Sequence, residues 1–198
     1  MKKLLLPASL LLSLMLITSS CSILSELTAF SKCEFRIRSV QDPALCGVDV
    51  SQKRSWSDFT FMEGQAIAIQ VLKKSLPFDI TVNVEVRNPG TATAAVNTIE
   101  WIAFLDELQV AQGVVNQRVE ISPAGGMNII PVKVHADLID YLEGDNPSSM
   151  LNFALNLVNA GDQSSKVTMK IKPSVLVGSQ SIQYPSYFTI SKEFSSGD

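Results

Sequence analysis

The residue types that move protons, attack carbonyls or hold metals are sparse in this chain. Its 198 residues include one histidine, His135, and three cysteines, Cys21, Cys33 and Cys46. A hydrolytic triad needs its histidine buried between a carboxylate and a hydroxyl nucleophile. His135 stands in the run Ile129–Ala136, out of phase with Val132, Val134 and Ala136. That alternation puts it on the wet face of a strand beside Lys133, so no triad is expected. No HExxH, CxxC or Gly-rich phosphate loop occurs. The adjacent carboxylates Asp106-Glu107 fall between two apolar runs, which suits a solvated turn. Gly125-Gly126 lies in another hairpin-like turn, without the strand-to-helix context of a phosphate site. Two cysteines and one distant histidine are too few for a structural zinc site. No catalytic residue, cofactor or metal is therefore expected.

Cys21 has a different role. The chain opens with Met1-Lys2-Lys3, then an apolar run from Leu4 to Ile17, then Thr18-Ser19-Ser20-Cys21. A basic start, a short apolar run and small residues before a cut site make a secretory signal, residues 1–20. The run contains Pro7 and is short for a membrane span. Small residues directly before a cysteine resemble the lipobox of bacterial lipoproteins, although Thr18 stands where Leu is usual. The resemblance implies cleavage before Cys21, which then carries diacylglycerol and an N-acyl chain. The alternatives are an ordinary secreted protein cut near Ser20, or an uncleaved anchor. Several acyl chains give stable attachment, where one binds reversibly. Ser22, rather than Asp, follows the cysteine, and by resemblance to lipoprotein sorting this implies an outer membrane. The expected location is the cell envelope, lipid-anchored and facing the periplasm. Cys33 and Cys46 remain, to form either a disulfide that closes a small loop or two buried free thiols.

Without residues 1–20 the chain keeps 14 basic and 19 acidic residues, a charge of −5. A mildly acidic chain is a poor candidate for charge-driven binding to nucleic acid or to anionic lipid, and no nucleic-acid partner is expected. The pairs Lys53-Arg54 and Lys73-Lys74 are too small for a phosphate-tracking surface. The remaining 178 residues fit one domain, 33–198, after a tether at 21–32.

The elements that position these residues read mainly as strands. Phe78, Ile80, Val82, Val84 and Val86 alternate with Asp79, Thr81, Asn83, Glu85 and Arg87, one dry face and one wet. Asn88-Pro89-Gly90 stops the run. Further strands are expected at Ile99–Leu105, Val114–Ile121 and Ile129–Ala136, then at Lys166–Val177 with Pro173 as a break, and at Tyr187–Glu193. Trp101 is expected in the core. Upstream, Cys33–Arg38 reads as a strand, Asp42-Pro43 as a turn, and Leu45–Val50 as its pairing partner. Thr60 and Glu63 have the spacing of a capping box, which predicts a helix from Phe61 to about Lys74. Met62, Ala66, Ile69 and Leu72 are its expected buried stripe. Short helices are expected at Asp137–Glu143 and Ser149–Asn159. Several short strands with turn residues between them predict an all-β sandwich with one to three accessory helices.

From Pro77 to Leu138 an ordered set of features stands out: an alternating strand running into Asn88-Pro89, Leu105-Asp106, Ala111-Gln112-Gly113, Ile121-Ser122-Pro123, and Pro131-Val-Lys-Val. Their order and spacing resemble the late-embryogenesis-abundant (LEA) type 2 domain, the LEA14-like or WHy (water stress and hypersensitive response) family. The resemblance implies an immunoglobulin-like or fibronectin-III-like sandwich with no catalytic residues, and it makes Asn88-Pro89 a structural turn. It also implies a non-enzymatic, membrane-anchored role in envelope or desiccation tolerance. The alternative is an envelope binding module for a lipid-like ligand or a partner protein.

Overall fold

The computed structural model describes residues 23–105, 107–139 and 165–194. Cys21, the expected signal segment at 1–20, Asp106, the expected helix at 149–159 and most of that at 137–143 lie outside these residues. Within them, none of the helices is long and apolar enough to cross a membrane.

The strands are β1 (Glu34–Leu45), β2 (Val48–Asp49), β3 (Pro77–Asn88), β4 (Ala94–Val96), β5 (Thr98–Leu105), β6 (Leu108–Val115), β7 (Val119–Ile121), β8 (Gly126–Asp137), β9 (Ser165–Val177), β10 (Gln180–Gln183) and β11 (Phe188–Phe194). One sheet has the order β2-β1-β3-β8; the other runs β10-β9-β5-β6, with β11 also on β9; β4 and β7 pair separately. An α-helix, α1, covers 23–30, and a second, α2, covers Phe61–Leu72. The expected all-β sandwich with accessory helices is what the chain forms.

The alternation in β3 works as the pattern predicts: Phe78, Ile80, Val82, Val84 and Val86 are all buried. They meet Ile99, Trp101, Ala103 and Leu105 of β5, and Val167, Met169 and Ile171 of β9, in one core. Each such side chain contributes about 1.5–3 kcal/mol by leaving water. Trp101 is buried, and across the ladder it faces Gly113. A Cβ at Gly113 would lie 2.6 Å from the indole, so the glycine makes room for the ring. The sandwich closes along one side where β1 approaches β11, with the Phe35 and Phe188 rings 5.4 Å apart.

Several expectations are corrected. The stretch read as a tether is helical at 23–30, and Leu27 and Phe30, spaced i and i+3, are buried in the core. Asp42-Pro43 does not end the first strand. It forms a bulge inside β1, with Asp42 at φ 52°, and the chain turns at Cys46-Gly47, leaving only two residues for β2. The strand expected at Val114–Ile121 is the end of β6 plus β7, because the hairpin after Leu105 is tight and β6 starts at Leu108. Pro173 does not break β9. It falls where the ladder on one side of β9 passes from β11 to β10, so its missing N–H interrupts neither.

The helix α2 has its capping box: Glu63 N–H donates to Thr60 Oγ1 at 3.3 Å, and Thr60 N–H donates to the Glu63 carboxylate at 2.8 Å. Its buried side is not the expected stripe. Ile67 is buried and Val71 packs against the core, whereas Met62, Ile69 and Leu72 are exposed. The helix is apolar on both sides, so periodicity alone could not tell which side the sandwich covers.

Candidate functional site

The wet face of β3 holds the polar groups closest to a site. Glu85 and Asn83 were expected in water, yet both are buried. β3 is a central strand, and the long side chains of its neighbour β1 fold over them. Arg36 reaches Glu85 Oε1 at 2.6 Å and Arg38 reaches Oε2 at 3.2 Å. The Arg36 guanidinium bonded to Glu85 holds that carboxyl below its ordinary range. Asn83 donates to Ser39 Oγ at 3.1 Å. Next along, Arg87 and Glu34 pair at 3.4 Å. Three arginines against two glutamates leave this open cleft almost neutral. It forms a cross-strand charge ladder, with no concentration of one sign for a charged ligand.

His135 sits on the same face, as its spacing predicts. Its Nδ1 lies 2.7 Å from Asp79 Oδ1, directly across the ladder, and both side chains are more than half exposed. The pair has two members of a triad and lacks the third: among the described residues no hydroxyl bonds the imidazole. Glu107 is in the solvated turn expected for it, and Gly125 is in the turn before β8. No cluster of three or more metal-ligating side chains occurs among the described residues.

Cys33 and Cys46 are free thiols. They flank β1 at its two ends, and a 12-residue strand at about 3.3 Å per residue separates them by roughly 40 Å. A disulfide allows at most about 7 Å between Cα atoms, so the bridge held open from the sequence is excluded. Burial is the main cause that raises each thiol to about 11. Thiolates are scarce at that value, and neither sulfur is an activated nucleophile.

Between the sheets a crevice lined by Phe78, Ile80, Val134, Leu105, Val110 and Val167 holds about 30 Å³. That is the space of one water, far below the roughly 300 Å³ of a small-molecule pocket. An apolar ligand would have to part the sheets to enter.

Asn88 has the densest polar connections. It is buried; its Nδ2 donates to the Ala92 carbonyl at 2.9 Å and the Ile121 carbonyl at 3.2 Å, and its Oδ1 accepts from Gly90 N–H at 3.0 Å. Two backbone bonds join the same corner to the turn before β8, Ala124 N–H to Gly90 O and Gly125 N–H to Asn88 O. The side chain is saturated by its own protein, which makes it a structural corner. Sequence reasoning placed the turn here and missed its buried bonds, because Asn-Pro-Gly alone does not say what the amide reaches.

Fold and site thus define an all-β sandwich with no assembled catalytic group among its described residues. No protein-family model matches the sequence, and no curated protein matches it. Among solved structures, the chain is similar to a crystal structure of a protein from Archaeoglobus fulgidus, with TM-score 0.35 and 15% identity over 79% of this chain and 97% of that one. It is similar to the solution structure of AT1g01470 from Arabidopsis thaliana, with TM-score 0.39 and 13% identity over 62% of this chain and 72% of that one. A third likeness is the solution structure of At2g46140.1, assigned as a late embryogenesis abundant protein, with TM-score 0.35 and 13% identity over 95% and 82% of the two chains.

Proposed function

We propose that this chain is a non-enzymatic LEA type 2 lipoprotein of the cell envelope, held to a membrane by lipid on Cys21 and supporting envelope integrity through drying or related stress. One observation carries the reading. The motifs that resemble the family fall on strands or their ends: Asn88 at the end of β3, Leu105 at the end of β5, Ala111-Gln112-Gly113 in β6, Ile121-Ser122-Pro123 from β7 into its turn, and Pro131-Val-Lys-Val in β8. Two of these residues, Asn88 and Gly113, have a local structural role. The basic-apolar-small pattern before Cys21 supports the anchor, and Ser22 supports an outer membrane.

The test is survival of a deletion strain through drying and rewetting, with wild-type or Cys21→Ala protein restored. The expected result is lowered survival that only the wild-type chain restores. Equal survival of the deletion and parent strains would remove the stress role. Full rescue by Cys21→Ala would remove the need for the lipid.

A further inference from the structure

The helix α2 exposes a face that no other element among the described residues covers. Phe61, Met62, Ile69 and Leu72 are 83%, 70%, 45% and 85% exposed. At 100° per residue they gather on the side opposite Ile67 and Val71, with Gln65 between them and Ala68 at the edge. No carboxylate stands on this face. The helix's one acid, Glu63, is occupied by the capping box and by Lys53 at 2.9 Å. Asp58, exposed just ahead of the helix, accepts from the Arg54 and Ser55 N–H groups; the other exposed charges next to the helix ends are cations, Lys73 and Lys74 directly after the last turn and Arg54 further ahead. No ion pair among the described residues engages these three side chains.

We propose that this face of α2 is a membrane contact, lying in the headgroup region of an anionic bilayer. An apolar ridge with two lysines at one end and no acid on it is the charge pattern of a helix that lies flat in such an interface, a local pattern within a chain of net negative charge. The area favours lipid over protein. Four large side chains at these exposures present on the order of 500 Å², where a stable protein interface needs about 800 Å² on each partner. A second copy docked through α2 alone would be too small to persist. The contact is separate from any attachment at Cys21. α1 precedes β1 at one end of the sandwich and α2 leads into β3 at the other, with β1 spanning roughly 40 Å between them.

The full chain would be reconstituted in phosphatidylcholine vesicles, with and without phosphatidylglycerol, containing a phospholipid with a photoreactive group near its headgroup. Trypsin releases α2 as the peptide Ser55–Lys73. The expected result is strong lipid labelling of that peptide, dependent on phosphatidylglycerol and present also in Cys21→Ala when vesicles are added. Labelling should fall by about tenfold or more in Phe61→Ser/Leu72→Ser, the scale expected when two large apolar side chains lose their burial. Circular dichroism confirms that this surface variant keeps its fold. Absence of label on the α2 peptide while N-terminal peptides are labelled overturns the proposal. So do cross-links joining α2 to a second copy or to residues 140–164 in place of lipid.

Discussion

Replacing Asn88 with alanine tests whether the β3 corner is a structural joint. The substitution strands three backbone groups: the Ile121 carbonyl, the Ala92 carbonyl and the Gly90 N–H. Ile121 is buried and water cannot replace the amide there, so its carbonyl carries the full penalty of about 1–3 kcal/mol. Ala92 is exposed and Gly90 half-buried, so water can serve both, at roughly 0.5 kcal/mol each. The sum is about 3 kcal/mol, a large share of the ~5–15 kcal/mol that holds a typical domain together. Urea unfolding of the chain from Ser22 onward, followed by Trp56 and Trp101 fluorescence, reads it as a midpoint shift of roughly 1–2 M at unchanged slope. Asn83→Ala is the control, since it removes a single bond, to Ser39, and should cost about 1 kcal/mol. If Asn88→Ala costs no more than Asn83→Ala, the reasoning fails. Asn88→Asp adds a pH test. A carboxylate facing two carbonyl oxygens holds its proton, so its folded pKa rises above the ordinary ~3.9. The folded state then binds more protons than the unfolded one, and stability falls as pH climbs from about 3.9 through the raised value. The aspartate variant should be closest to wild type in acid.

Other outcomes follow from the same contacts. In Gly126→Ala the new Cβ would lie 2.3 Å from the Ser122 carbonyl oxygen, a backbone clash that no rotamer relieves, and thermal melting should show a loss of about 1–3 kcal/mol. Phe30→Ala should cost about 3–5 kcal/mol in the same melt, because Phe30 is fully buried; a near-zero effect would return 23–30 to the status of a tether. The Lys53 ammonium, then the Thr60 N–H, hold Glu63 down at about 2, from an ordinary value of 4.5. Its support for α2 is therefore complete above about pH 4.5 and lost as pH falls through 2; protection of first-turn amides, relative to their intrinsic exchange rates, should fall over that window in wild type and stay flat in Glu63→Gln. Iodoacetamide at pH 8 should label Cys33 and Cys46 slowly in the folded chain and readily in urea, with folded labelling rising toward pH 11.

Much of the sandwich was legible because a half-buried strand writes its burial into alternate residues. Phe78 to Val86 and Val132 to Ala136 did so, and the structure places them where the alternation put them. The failures share a cause. Asp42-Pro43 is a strong local turn signal, yet the ladder between β1 and β3 continues past it by means of a bulge, and tertiary pairing wins. Leu108–Gly113 lacks a clean alternation, and its place in β6 is set by the hairpin after Leu105 and by room for the Trp101 ring. The burial of Glu85 was not legible either, since its cover comes from arginines 49 and 47 residues away in sequence. The exposed place of His135 on β8 could be read from its phase; Asp79 as its partner needed the register of β3 on β8.

The contact between β1 and β11 has a consequence for how the chain is made. Phe35 completes its packing against Phe188, a residue synthesised some 150 positions later. At about 5–20 residues per second, a ribosome needs roughly 10–30 s to supply it. Through that interval Phe30 and Phe35 have each other but not the ring that closes the seam, and the first strand waits for the last. Any unfolded or partly made chain therefore exposes this aromatic pair until β11 is in place.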